Sequence, residues 1–186
     1  MGNDHIFIAL IHHPVYDRKK EVVTTSITNL DIHDLARLAK TFGLGGFYIV
    51  QPSKLQVELA DRIIGHWERG AGAAYNETRR VAFETIRMVP DVRAMIRDVE
   101  DRTGVGTRLV ATTGKDRPGQ VDFRQAKKML KDGTSSIILF GTGWGLADDL
   151  IESSDLVLEP IAISDDYNHL SVRCAAAIIL DRLLGK

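Results

Sequence analysis

Three glycines alternate with larger residues in FGTGWGL, Phe140 to Leu146, directly after the apolar run SIILF. Glycine at 141, 143 and 145 lets a chain turn sharply and lets a ligand approach main-chain atoms with no Cβ in the way. Two other runs share this character. ATTGK, Ala111 to Lys115, is a small-residue loop after RLVA, and the run from Leu158 is rich in turn formers (Ser164, Asp165, Asp166, Asn168) before it enters the Ala-rich stretch CAAAIIL. Such loops suit a small ligand gripped by backbone amides and carbonyls. Asn168, Ser171 and the amides at the helix start match polar ligand edges or, equally, cap the helix. Taken alone, the glycine turn also fits a plain strand-to-helix turn. It is not a P-loop, because no Lys-Ser/Thr follows, and it is not G-x-G-x-x-G. A dinucleotide fingerprint would also open the first βα unit rather than stand near the end.

Other chemistry finds less support. Cys174 is the single cysteine and sits in an apolar run, which predicts a small buried side chain and neither a disulfide framework nor a thiolate zinc site. His12-His13 and His33-Asp34 lack Cys partners and HExxH spacing, so no metal site is expected.

The elements that must position these loops alternate between strand and helix. The patterning predicts strands at 5–12, 47–50, 108–112, 136–140 and 156–158. It predicts helices at 31–41 (capped by Asp31 or Asn29), 53–69 (capped by Ser53, with Leu55, Leu59, Ile63 and Trp67 on one face), 77–88, 92–103, 122–131, 147–152 and 171–184 (capped by Ser171). The run GAGAAYNETRR reads as a break. Strands separated by helices imply an α/β domain with a mostly parallel sheet flanked by helices, here spanning residues 1–186 as one domain. In an open parallel sheet, ligands bind beyond the carboxyl ends of the strands.

With 44% hydrophobic and 26% charged residues the composition is that of a soluble globular chain, and neither a disordered nor a fibrous class fits. The apolar run Ile6–Ile11 is too short for a signal sequence, and no stretch approaches membrane-spanning length, so a cytoplasmic protein with no membrane partner is expected. The net charge of −1 conceals a basic middle, fifteen Lys or Arg against nine acids between Arg62 and Lys131, and an acidic stretch, seven acids and no Lys or Arg between Gly133 and Val172. The basic middle fits either phosphate attraction or paired, solvated helix faces.

The three loops, in this order, resemble the SPOUT superfamily of RNA methyltransferases, the α/β-knot enzymes. The matching residues are Thr112–Gly114, Phe140–Leu146, Leu158–Ile161 and Asn168–Arg173. DIHDLARLAKTFGLGGFYIVQP, Asp31 to Pro52, is similar to the superfamily's N-terminal segment, with Asp31 in the place of an Asn and Arg37 in the place of its Arg. HHPVYDRKKEVVTTSITNLDIHDLAR and YNHLSVRCAAAIILDRLLG are similar to a small bacterial branch of stand-alone members, and the likeness covers nearly the whole chain.

The resemblance implies a C-terminal trefoil knot, S-adenosylmethionine (SAM) as cofactor, a tRNA or rRNA substrate and a homodimer. It implies a cofactor pocket made by Thr112, Thr113, Gly114, Phe140, Gly141, Thr142, Gly143, Trp144, Gly145, Leu158, Pro160, Ile161, Asn168, His169, Leu170 and Ser171. Trp144 is then a pocket wall or an aromatic in a core turn. Arg37 becomes the first candidate for a catalytic or phosphate-orienting group, against a helix-surface arginine paired with Asp34 or Asp31. Asp31 or Asp34 becomes a candidate proton acceptor, against a helix cap for Asp31. Arg18, Lys19 and Lys20 become candidate RNA contacts, against a solvated charge run. Several residues depart from the superfamily pattern. Gly143 replaces the acid of ribose-methylating members, Asp31 replaces an Asn, one residue (His169 or Leu170) is inserted before Ser171, and Arg173 stands at a usually small position. These departures weigh against a ribose target. The alternative function is a non-catalytic RNA-binding protein of the same fold.

Overall fold

The computed structural model describes residues 2–161 and 167–185. In chain order, strand β1 (Ile6–Ile11) leads through a hairpin of β2 (Val15–Tyr16) and β3 (Val22–Val23) to helix α1 (Asn29–Thr41). Strand β4 (Gly46–Val50), helices α2 (Lys54–Glu68), α3 (Ala71–Tyr75) and α4 (Glu77–Phe83), strand β5 (Ile86–Val89) and helix α5 (Val92–Thr103) follow. The last third holds β6 (Thr107–Ala111), α6 (Phe123–Met129), β7 (Ser135–Gly141), α7 (Asp148–Glu152), β8 (Leu156–Val157) and α8 (Val172–Leu184).

Six strands form one sheet in the order β5-β4-β1-β7-β6-β8, every neighbouring pair parallel. Both faces of such a sheet are covered, so its strands read as continuous apolar runs rather than alternating ones. β1 shows this: Ile6, Ile8 and Leu10 join the core under α1, α2, α4, α6 and α8, while Phe7, Ala9 and Ile11 join a second core under α5 and α7. The strand order has a consequence for the loops. β7 inserts between β1 and β6, and the chain then crosses β6 to form β8 on its far side. Ala111 of β6 is therefore flanked in register by Leu139 of β7 and Val157 of β8, and the loops after all three strands leave the sheet side by side.

Several expectations need correction. The segment 71–75, expected as a break, forms the short helix α3, and the expected helix 77–88 stops at Phe83 and gives way to strand β5. Ile86 to Val89 is too short for its period to be read, and its strand state comes from pairing with β4. The hairpin β2–β3 was not expected at all. α1 is capped by Thr28, whose Oγ1 accepts from the amide of Asp31, rather than by Asp31 or Asn29. Ser53 occupies the cap position of α2 without a side-chain capping bond, and that helix buries Ala60 and Ile64 while Leu55 and Leu59 face outward. Cys174 is exposed, not buried. Helix α8 turns Ala176, Ile179, Leu180 and Leu183 inward, and a residue two positions before Ala176 lies about 200° around the axis.

Candidate cofactor pocket and its surroundings

The three loops meet at the carboxyl edge of the sheet. Leu158 donates its amide to the carbonyl of Ala111 at 2.9 Å, and Thr112 donates both its amide and its hydroxyl to the carbonyl of Leu139, at 3.2 and 2.7 Å. Asn168, in the segment before α8, donates from Nδ2 to the carbonyl of Gly114 at 3.0 Å. The loop after β6 thus touches the end of β7 on one side and the loop after β8, with its continuation into α8, on the other. Gln120 adds a further tie, donating to the carbonyls of Lys115 and Leu158, each at 3.1 Å. Ser171 caps α8 by accepting from the amide of Cys174. Phe140, Leu158 and Ile161 are buried, so these three present main chain rather than side chain to the edge. Pro160 is half-buried, Thr113 accepts from the amide of Lys115, and His169 and Leu170 are exposed, His169 edge-on to Tyr167. Ser164, Asp165 and Asp166 lie outside the described residues.

The glycine turn is held from the other side by the β2–β3 hairpin. Tyr16 and the turn exchange two main-chain bonds, Trp144 amide to Tyr16 carbonyl and Tyr16 amide to Gly145 carbonyl, both at 2.9 Å. Gly143 has a φ of +59°, and a Cβ there would lie 2.9 Å from the Tyr16 carbonyl oxygen and 3.2 Å from Thr25 Cγ2. Its missing side chain therefore makes room for the hairpin. Gly141 is needed for closure of the turn, because a Cβ there would lie 2.7 Å from the Leu146 amide nitrogen. Trp144, one residue on, is 60% exposed, which excludes the core-turn reading. Below the turn, Tyr16 donates its hydroxyl to Asp148 and accepts from the Asp148 amide, while Arg117 pairs with the same carboxylate. That arginine bond holds the Asp148 carboxyl below the usual carboxylate range.

A partly buried polar chain that the sequence does not announce runs from the end of β1 to the glycine turn. Thr142 donates its hydroxyl to the carbonyl of Ile11 at 3.0 Å and also meets the Thr25 hydroxyl. With the single Thr142 proton committed to Ile11, Thr25 donates to Thr142. The Thr25 proton is then committed too, so His12 Nδ1, 2.9 Å away, must be the donor to Thr25. His12 is fully buried, and burial lowers its pKa to about 4, so the ring is neutral near pH 7 with its proton on Nδ1. Its bare Nε2 has no partner among the described residues. Gln51 completes the cluster by donating to the Thr25 carbonyl at 3.0 Å.

The catalytic candidates sit on α1. Arg37 is 62% exposed, with Asp34 its nearest acid at 3.9 Å. Asp31 accepts from the Thr28 hydroxyl at 2.7 Å and forms an ion pair with Arg173 Nε at 3.2 Å. Arg173 also reaches Asp34 at 3.4 Å, so it joins the first turn of α8 to α1. The structure thus brings Asp31 to the segment that follows the third loop, whereas the ion pair of Arg37 among the described residues is with Asp34 on its own helix. Arg18, Lys19 and Lys20 are exposed at the hairpin tip beyond Tyr16. Among the described residues no group of three or more His, Cys, Asp or Glu side chains is placed to hold a metal ion, and His33 packs edge-on against Trp67 and Phe83.

A wholly parallel sheet with three backbone-rich loops at its carboxyl edge defines a class, the α/β proteins whose ligand sites lie beyond the carboxyl ends of their strands. The chain belongs to a particular family within it: the model of a family described as SAM-dependent RNA methyltransferase matches residues 5–185. A tRNA (guanine-N(1)-)-methyltransferase of Oleidesulfovibrio alaskensis is 44% identical over 97% of this chain and 42% of its own length. An Aquifex aeolicus protein of unassigned function is 37% identical over 100% of this chain and 91% of its own length. The chain thus spans about two fifths of the methyltransferase it matches and most of the Aquifex protein. Among solved structures, the A. aeolicus TrmH/SpoU tRNA modifying enzyme superposes with a TM-score of 0.60 at 14% identity, covering 98% of this chain and 75% of that one. The SpoU methyltransferase AviRb from Streptomyces viridochromogenes, in complex with AdoMet, superposes with a TM-score of 0.59 at 19% identity, covering 99% and 58%. The fold shared with these structures is the one that the resemblance to SPOUT methyltransferases implies.

Proposed function

We propose that this chain transfers the methyl group of SAM to a nucleotide of RNA, with tRNA preferred over rRNA. The observation that carries the reading is the meeting of the three loops, sealed by the Asn168–Gly114 bond. Small and backbone-rich, these loops fit SAM: Thr112, Thr113 and Gly114 form one wall, 141–145 a second, 158–161 and 168–171 a third. SAM, when bound, supplies an activated methyl on a sulfonium centre, so the protein's task is to orient two partners and to manage one proton. Main-chain groups of the second and third walls hold the polar edges of adenosine, and exposed Trp144 covers the mouth. The trefoil knot expected from the resemblance is part of this reading.

Arg37, exposed and loosely paired, is free to meet an RNA phosphate near the target. Asp31 is better suited to positioning than to accepting a proton, because one carboxylate oxygen already takes the Thr28 hydroxyl and the other faces Arg173. Arg18, Lys19 and Lys20, at a hairpin tip tied to the glycine turn, are placed to take RNA phosphates beside the cofactor. The apolar side chains Trp144, Tyr167 and Leu170, exposed around the pocket, support a homodimer that covers them. The tRNA preference follows the names of the relatives. The guanine N1 specificity in those names belongs to proteins more than twice as long and is not carried over.

The test is calorimetric titration with SAM and S-adenosylhomocysteine, followed by transfer of labelled methyl to total tRNA and to rRNA. Binding with transfer to tRNA is expected. RNA binding with no SAM affinity would leave the non-catalytic alternative. Sedimentation tests the dimer.

A further inference from the structure

Between α1 and α4 lies a cavity of about 350 Å³ whose polar lining is Arg37, Lys40, Thr41, Asn76, Thr78 and Arg79. Three of these side chains are cations and none is an acid. Charges on a protein surface are usually offset by neighbours, and the next residue along shows it: Arg80 pairs with Glu84 at 2.7 Å and with Glu77 at 3.5 Å. Arg79 and Lys40 have no carboxylate within 4 Å among the described residues, and Arg37 has only Asp34 at 3.9 Å.

The cavity is also braced. The guanidinium of Arg79 lies 4.5 Å over the Trp67 ring, and Trp67 is itself packed against His33 and Phe83. A stacked guanidinium loses little freedom when it takes a planar set of oxygens. Asn76 Oδ1 is occupied by the Arg79 amide at 3.0 Å and the Thr78 hydroxyl at 2.8 Å, which leaves the Asn76 Nδ2 group as a further donor. The positive field is felt behind the wall, where His33 is held below its usual range by burial and then by Arg79.

We propose that this cavity is a phosphate subsite for the RNA backbone, with Arg79 and Lys40 as the cations that take the phosphodiester and Arg37 on its rim. The inference rests on the RNA substrate proposed above and adds a contact surface separate from the hairpin tip. A phosphodiester suits the lining because donors and cations surround it and no carboxylate repels it. Free inorganic phosphate shares this chemistry, and the experiment separates the two.

The affinity of the full chain for total bacterial tRNA is measured by fluorescence anisotropy at several salt concentrations between about 50 and 200 mM. R79Q and K40Q are compared with R80Q, which removes a cation already paired beside the cavity. The proposal expects R79Q and K40Q each to weaken tRNA binding several-fold and to lower the slope of log K against log salt by about 1. R80Q is expected to match the wild type, and SAM affinity to be equal in all four proteins, which reports an intact fold. The proposal is overturned if R79Q and K40Q bind tRNA like R80Q while the wild type binds it well. It is also overturned if millimolar inorganic phosphate binds the wild type, is lost in R79Q, and leaves tRNA affinity untouched, since the cavity then serves a small anion. A wild type with no tRNA affinity sinks the RNA reading itself and the subsite with it.

Discussion

His12 Nδ1 lies 2.9 Å from Thr25 Oγ1, and because both threonine protons in the chain are committed elsewhere, this contact sets the tautomer of a buried imidazole. The chain ends on Thr142 in the glycine turn, so the ring at the end of β1 and the cofactor loop after β7 share one set of hydrogen bonds. Asparagine places an amide nitrogen close to the Nδ1 position, and glutamine places its own nearer Nε2. H12N should therefore keep SAM affinity within about threefold of wild type. H12Q and H12A should lose about tenfold, the equivalent of roughly 1.4 kcal/mol, a typical value for an unpaired buried group. Calorimetric titration reads the difference. Equal losses in H12N and H12Q would mean that the ring matters for its bulk alone.

Acid should weaken the fold through the same residue. The pKa of His12 is lowered by burial from 6.5 to about 4, so between these values the unfolded chain binds the proton and the folded chain does not. Stability is then complete above about pH 6.5 and falls as pH drops toward about 4, by about 3 kcal/mol in total. Asp132, lowered to about 2 by its bond from Arg108, adds a loss of the carboxylate kind, from its ordinary range down to about pH 2. Urea midpoints of wild type and H12N against pH separate the two, since only the first loss should disappear in the variant.

Substitution of Gly143 should act through the hairpin. G143A puts a Cβ 2.9 Å from the Tyr16 carbonyl oxygen at a φ of +59°. A loss of about 1–3 kcal/mol in unfolding free energy is expected, with SAM affinity reduced as a consequence. If G143A is as stable as wild type and loses only SAM affinity, the glycine faces the ligand instead.

The Asp31–Arg173 ion pair supplies a fourth test. D31N and R173A should each cost about 1–2 kcal/mol in stability and lower SAM affinity by similar factors, because both loosen the start of α8. A turnover loss of about a hundredfold in D31N, with stability and SAM affinity intact, would make Asp31 the proton acceptor after all.

Much of the frame was legible because long buried strands and amphipathic helices carry their period in the chain. β1, β4, β6 and β7, and helices α1, α2, α5, α6 and α8, lie where patterning puts them, within a few residues. The missed strands share one cause. β5, with four residues, and the two-residue strands of the hairpin are too short to show a period, and they are strands only because a partner completes their hydrogen bonds. Leu55 and Leu59 share one face of α2 with Ile63 and Trp67 by spacing, yet the helix buries Ala60 and Ile64 and leaves the two leucines exposed, because which stripe is covered is set by the elements packed on it.

For the site, the three loops could be picked out in the chain because glycines, small residues and turn formers after strands are local signals. What the chain alone could not supply was partnership across distance. The contacts of His12 with Thr25, Thr25 with Thr142, Tyr16 with the glycine turn, Arg173 with Asp31, and Arg79 with Trp67 join segments with no mark in either one that names the other. Local backbone preference and apolar period are properties of a stretch of sequence. A hydrogen-bond partner or an unpaired cation is a property of the packed arrangement, and only the order of strands in the sheet decided which stretches would meet.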